Sequence, residues 1–113
     1  MGSIELANIY MSCFFGEKLL EEMNNVLAED LKFIEPLYEF SSAQEYIQSL
    51  KENPPTDVSH EILQEFENEN SSCLVYRYKK PGVNTTVAQL FEVKENRILK
   101  IRLIFDASKF PNN

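Results

Sequence analysis

The segment TTVAQLFEVKENRILKIRLIFD, residues 85–106, decides the fold because it predicts two β-strands joined by one tight turn. Apolar residues alternate along Thr85–Val93 and Ile98–Phe105, and Lys94–Arg97 supplies the polar turn between them. In the second strand one predicted face carries Leu99, Ile101, Leu103 and Phe105. The other face mixes charged residues with Ile98 and Ile104, so we expect a second copy of the chain to cover it in a homodimer.

Working outward from this hairpin, the same alternation predicts two further strands, residues 58–66 and 73–79. On the strand over residues 58–66, the period-two pattern places Val58, His60, Ile62, Gln64 and Phe66 on one face. The first half of the chain instead shows apolar residues at helical spacing over 6–14, 19–27 and 43–50. Helices followed by a meander of strands predict an α+β domain in which the helices cover one face of the sheet.

Composition narrows the functional classes. The chain has 113 residues and a net charge of −7, which predicts a single domain, residues 1–113, and argues against a nucleic-acid or anionic membrane partner. Its two cysteines lie far apart in the sequence and are expected to be free. No secretory signal is recognised, so a cytoplasmic location is expected. No cofactor or metal motif is apparent, and none is expected.

Glu35 is the most unusual residue of the first half. It lies in the apolar stretch LKFIEPL, residues 31–37, where strand alternation would place it on the same face as Leu31 and Phe33. A carboxylate among apolar side chains is unfavourable unless it is paired or its pKa is raised. Carboxyls in such surroundings often act as general acids or bases, so Glu35 predicts a pocket with an acid in it.

Three stretches give the chain a resemblance to a known superfamily. These are residues 26–33 (VLAEDLKF), Glu35-Pro36 with the approach to a helix at 40–42, and residues 91–106. In order and spacing they resemble the nuclear transport factor 2-like superfamily, and most of all its SnoaL-like and ketosteroid-isomerase-like branch. The resemblance implies a cone-shaped, cystatin-like fold, with three helices on a curved antiparallel sheet of about six strands.

The same resemblance implies roles for individual residues. Glu35 matches the position of the general base, Tyr10 that of a hydrogen-bond donor to an oxyanion, and Gln89 that of a second donor, which in ketosteroid isomerase is a protonated acid. Gln can donate a hydrogen bond but cannot be that acid, which argues against steroid isomerisation. We expect the inward-facing residues to form the wall of a ligand cavity: Phe33, Val87, Phe91, Ile101, Leu103 and Phe105.

Three functions stay open on the sequence. The first is binding of a small apolar or carbonyl-bearing ligand, with proton transfer by Glu35. The second is a non-catalytic domain for dimerisation or protein interaction. The third is a lyase or hydrolase that uses Glu35 together with His60, the only histidine of the chain, although a lone histidine is more often structural.

Overall fold

The computed structural model describes residues 1–110 as helices packed on one face of a six-stranded sheet. Two α-helices, α1 (Ser3–Phe14) and α2 (Ala43–Glu52), are accompanied by 3₁₀ helices at Leu20–Asn25 and Ala107–Lys109. The strands are β1 (Leu27–Ile34), β2 (Glu39–Phe40), β3 (Ser59–Glu67), β4 (Ser71–Lys80), β5 (Val83–Lys94) and β6 (Arg97–Ile104). The predicted α+β architecture is confirmed.

The strand order is β2-β1-β6-β5-β4-β3. The predicted meander β3 to β6 is antiparallel throughout, and β1 forms a short hairpin with β2. However, β1 pairs with β6 in parallel, so the sheet is mixed rather than antiparallel. The parallel pair requires a long crossover between β1 and β6, and the chain between them supplies α2 and the meander.

Local sequence explains where the helices begin and end. The N-cap of α2 is Ser42, whose side-chain oxygen accepts a hydrogen bond from the Glu45 backbone N–H at 3.1 Å. After α1, Gly16 adopts a φ of 87°, a left-handed conformation that favours glycine. The predicted helix over 19–27 was too long, because only a 3₁₀ turn forms and Leu27 already begins β1.

Two strand faces differ from the simple alternation, and β-bulges are the reason. The pairing of β3 with β4 shifts between Ile62 and Gln64, which moves Phe66 to the outer face of the sheet, away from His60. The pairing of β5 with β6 shifts between Glu92 and Val93. Ile98, predicted on the outer face, is instead fully buried in the core.

Helix-to-sheet contacts between aromatic rings build the core. Tyr10 of α1 meets Phe91 of β5 edge-on, with 5.7 Å between ring centroids. Tyr46 of α2 stacks on Phe33 of β1 at 4.2 Å. These contacts hold α1 and α2 over the same sheet face, and the space that they leave between them at one end becomes the cavity.

Candidate functional site

A cavity of about 790 Å³ opens between the helices and the inner face of the sheet. This volume lies within the range of small-molecule sites, about 300–1,000 Å³. Four of the six residues predicted for its wall are among its lining residues: Phe33, Val87, Leu103 and Phe105. The cone is therefore not filled by its own side chains.

Phe91 and Ile101, the other two predicted wall residues, do not line the cavity. Both have an exposed fraction of 0% and belong to the hydrophobic core. Phe91 and Ile101 pair with each other on the same sheet face as the lining residues, but α1 covers this end of the sheet, as the contact of Tyr10 with Phe91 shows. Their contribution is to core packing rather than to the surface that a ligand would meet.

Glu35 lines the cavity from a turn rather than from within a strand. Strand β1 ends at Ile34, and the Glu35 backbone N–H donates to the Tyr38 carbonyl at 3.0 Å, which closes a tight turn through Pro36. Partial burial raises the pKa of Glu35 to about 7, from an ordinary value of 4.5. Over residues 1–110, the two ion pairs join Lys51 to Glu21 and Lys100 to Glu92, so neither neutralises Glu35.

Tyr10 also lines the cavity, where its hydroxyl forms a short hydrogen bond with the Tyr46 hydroxyl. Burial raises the pKa of Tyr10, and the polar side chains of Tyr46 and Gln89 partly offset this effect. Burial likewise raises the pKa of Tyr46, and the charge of Glu35 adds to it. Both phenols therefore keep their protons at neutral pH. One of the two hydroxyl protons forms the hydrogen bond between Tyr10 and Tyr46, so the other can be donated to a ligand.

Gln89 lies on β5 with an exposed fraction of 1%. Its Oε1 accepts a hydrogen bond from the Tyr76 hydroxyl at 2.7 Å. Its Nε2 is buried and has no hydrogen-bond partner among the described residues. A buried donor without a partner is unfavourable by about 1–3 kcal/mol. Because Gln89 lines the cavity, a ligand with an acceptor oxygen could satisfy this donor.

His60 lies apart from this group. Its ring stacks on Phe15, with 4.0 Å between centroids, and it is not among the residues that line the cavity. Burial lowers the pKa of His60, and the charge of Glu17 acts in the opposite direction. None of the hydrogen bonds found within residues 1–110 joins His60 to Glu35. The geometry gives His60 a packing contact rather than a place beside the carboxyl.

Sequence reasoning missed four tyrosines that line the cavity: Tyr38, Tyr46, Tyr76 and Tyr78. Tyr76 and Tyr78 follow the buried Leu74 at every second position along β4, so strand periodicity could have placed both on the same inner face. Tyr46 was recognised only as part of an apolar helix stripe. Its hydroxyl reaches the Tyr10 hydroxyl because α2 lies near α1 in the fold. No local sequence pattern indicates this long-range contact.

In the described part of the chain, no group of three or more His, Cys, Asp or Glu side chains is arranged to hold a metal ion. Cys13 and Cys73 are both free. No helix found between residues 1 and 110 has the length and apolar character needed to cross a membrane.

Solved structures with this architecture come from several bacteria. A nuclear transport factor 2-like protein of unknown function from Cytophaga hutchinsonii superimposes with a TM-score of 0.82 at 17% identity, covering 96% of this chain and 93% of that one. The chain has the nuclear transport factor 2-like fold. A candidate ketosteroid isomerase from Kribbella flavida gives a TM-score of 0.79 at 16% identity, covering 96% and 81%.

The nuclear transport factor 2-like fold is shared by proteins with different assignments. An LEH-like epoxide hydrolase from M. tuberculosis superimposes with a TM-score of 0.77 at 14% identity, covering 95% of this chain and 84% of that one. No family model matches the sequence. No curated protein matches it either. At these identities the similarity defines the fold, and function has to be argued from the site.

Proposed function

We propose that this protein binds a small apolar, carbonyl-bearing ligand in its cavity and transfers a proton to or from it through Glu35. The observation that carries the proposal is a carboxyl with a pKa of about 7 and no cationic partner, exposed to an apolar cavity of ligand size. A general base is most effective when its pKa lies near the working pH. At neutral pH, Glu35 is about half ionised and can both accept and return a proton.

The proposed chemistry uses three polar groups of the cavity: Glu35, Gln89 and the Tyr10–Tyr46 pair. The Glu35 carboxylate would take a proton from the carbon next to the ligand carbonyl, and the electron pair of that C–H bond would move onto the carbonyl oxygen. The unpartnered Gln89 Nε2 and the free proton of the Tyr10–Tyr46 pair are donors for the developing negative charge. Protonated Glu35 would then return the proton to the same carbon or to a conjugated one.

Structural neighbours lend this proposal weaker support. The candidate ketosteroid isomerase from Kribbella flavida carries an assignment of the same reaction type on the same fold. Its identity to this chain is only 16%, so the similarity indicates only that the fold is compatible with proton transfer. Glu35 and its surroundings therefore provide the main support for proton transfer.

Hydrogen exchange into a simple ketone tests the proposal. β-Tetralone, a bicyclic aromatic ketone with acidic C–H bonds beside its carbonyl, would be incubated with the protein in heavy water and followed by NMR. We expect the wild-type protein to accelerate deuterium incorporation. The rate that Glu35→Gln catalyses should be lower by about hundredfold or more. Glu39→Gln, an exposed acid in the same hairpin that does not line the cavity, is the matched control.

The proposal of proton transfer fails if β-tetralone binds without accelerated exchange, or if Glu35→Gln exchanges as fast as the wild-type protein. Replacing Gln89 by Leu separates the roles further. It should slow exchange by removing a donor to the oxygen, while the pH at which exchange is half-maximal, set by Glu35, stays in place.

A second candidate function is dimerisation or protein interaction through the outer face of the sheet. Leu90 pairs with Cys73 and Arg102, and Ala88 pairs with Ile104, on this face. Phe66, Leu90 and Ile104 have exposed fractions of 55%, 38% and 56%. Apolar side chains clustered on one exposed face favour a protein partner, and we propose a homodimer. The third alternative, a lyase or hydrolase, has less support because His60 lies away from the cavity lining.

A further inference from the structure

Aromatic side chains are concentrated around the cavity to an unusual degree. All five tyrosines and six of the eight phenylalanines of the chain are among its lining residues. The face of an aromatic ring carries partial negative charge, and several rings around one space form a favourable environment for an organic cation. Tyrosine hydroxyl oxygens add lone pairs to the same environment.

The charged groups of the cavity also favour a cationic ligand. Its lining includes the carboxyls of Glu35 and Asp57 and one cation, Lys80, and among the described lining residues there is no arginine. The ammonium of Lys80 lies over the ring of Phe110, 5.6 Å from its centroid. The rim of the cavity therefore already holds one ammonium against an aromatic face, and Glu35 has no cation of its own.

Glu35 also stands in range of four phenols. Burial is the main cause of the raised pKa of Tyr10, Tyr46, Tyr76 and Tyr78, and the negative charge of Glu35 contributes in each case. These hydroxyls come from α1, α2 and β4, and being neutral they do not compensate the charge of Glu35. A cation placed among them would relieve this unfavourable negative charge.

We propose that the cavity is also a receptor for organic cations, in which an alkylammonium group on an apolar body is held by the aromatic wall and by ionised Glu35. The inference rests on the ligand-binding part of the proposed function and not on proton transfer. Binding would release the proton of Glu35 to solvent. An organic amine would occupy the same cavity as a neutral carbonyl ligand and would therefore compete with it. Because the bound cation pairs with the Glu35 carboxylate, it would also inhibit any proton transfer.

A matched pair of probes tests the charge preference directly. They are p-(hydroxymethyl)phenyltrimethylammonium and p-tert-butylbenzyl alcohol, which differ by exchange of the cationic nitrogen for carbon. Calorimetric titration of the wild-type protein at about pH 8.5 should show the cation binding at least about tenfold more tightly. At about pH 5.5, where only a few per cent of Glu35 is ionised, the affinity for the cation should lose most of the gain that ionised Glu35 supplies, while the affinity for the alcohol stays constant.

Two variants test whether Glu35 causes the preference for the cation. Glu35→Gln should remove the pH dependence and most of the preference for the cation, and Glu39→Gln should retain both. Equal affinity of the wild-type protein for the two probes at about pH 8.5 would overturn the inference and leave neutral-ligand binding intact. Binding of neither probe would overturn ligand binding as well. An undiminished preference in Glu35→Gln would show that Glu35 is not a recognising group.

Discussion

Replacing Glu35 by Gln should stabilise the protein at neutral and alkaline pH. The pKa of Glu35 in the folded protein is about 7, against an ordinary value of 4.5. Between these two values the folded state binds more protons than the unfolded state, so stability is lost as the pH rises through this window. Gln has nearly the same shape and no charge, so the variant escapes this loss.

The magnitude follows from the size of the pKa change. A rise from 4.5 to about 7 corresponds to about 3 kcal/mol, at about 1.4 kcal/mol for each pH unit. Because the Glu35 side chain is only partly buried, screening by water reduces the expected effect to about 2 kcal/mol. Below about pH 4.5 the carboxyl is protonated in both states, and this contribution disappears.

Urea unfolding measured between about pH 4 and pH 9 checks this expectation. The difference in the free energy of unfolding between Glu35→Gln and the wild-type protein should grow by about 2 kcal/mol from the acidic to the alkaline end. Glu39→Gln should show a flat difference over the same range, because Glu39 is exposed. A flat difference for Glu35→Gln too would refute the reasoning that Glu35 is a destabilising acid in an apolar cavity.

Three further outcomes are expected. Tyr76→Phe removes the hydroxyl that donates to Gln89 Oε1 and should lower the free energy of unfolding by about 1–2 kcal/mol; an unchanged urea midpoint would contradict the buried hydrogen bond. Ser42→Ala removes the cap of α2 and should be destabilising by about 1 kcal/mol, and Ser42→Asp should restore most of it. Ile104→Lys on the outer sheet face should convert a homodimer to a monomer in sedimentation velocity, whereas a wild-type monomer at high concentration would refute dimerisation.

Much of the fold could be predicted because its strands and helices carry clear periodic patterns. Alternation along residues 85–105 located β5 and β6 within about two residues at each end. Helical spacing of apolar residues over 43–50 correctly located α2, which spans Ala43–Glu52. These signals are local, and they depend on which side chains have to be buried rather than on where the rest of the chain lies.

The errors came from features set by pairing between strands. A bulge adds one residue to a strand and reverses the faces that follow, so Phe66 and Ile98 could not be placed by counting in twos. The early start of β1 at Leu27 reflects its parallel pairing with β6. The Ile98 backbone N–H donates to the Val26 carbonyl at 2.7 Å, a contact across most of the sequence.

The candidate site was predicted through residues of unusual character rather than through its full lining. Glu35 was noticed because a carboxyl followed apolar residues, and Tyr10 and Gln89 through the resemblance to isomerases; the structure places all three around one cavity. Tyr46 and Tyr76 were missed because their hydroxyls acquire partners only in the folded chain, where Tyr46 of α2 meets Tyr10 of α1 and Tyr76 of β4 meets Gln89 of β5. The catalytic roles of Glu35, Tyr10 and Gln89 stay predictions.

The central claim is that Glu35 is an unpaired acid in an apolar cavity, and its own titration tests this most directly. The side-chain carboxyl carbon of ¹³C-labelled protein would be followed by NMR between about pH 3 and pH 9, and assigned with Glu35→Gln. The structure predicts a midpoint at about 7. A midpoint near the value of an exposed glutamate, about 4.3, would contradict the claim and, with it, the proposed proton transfer.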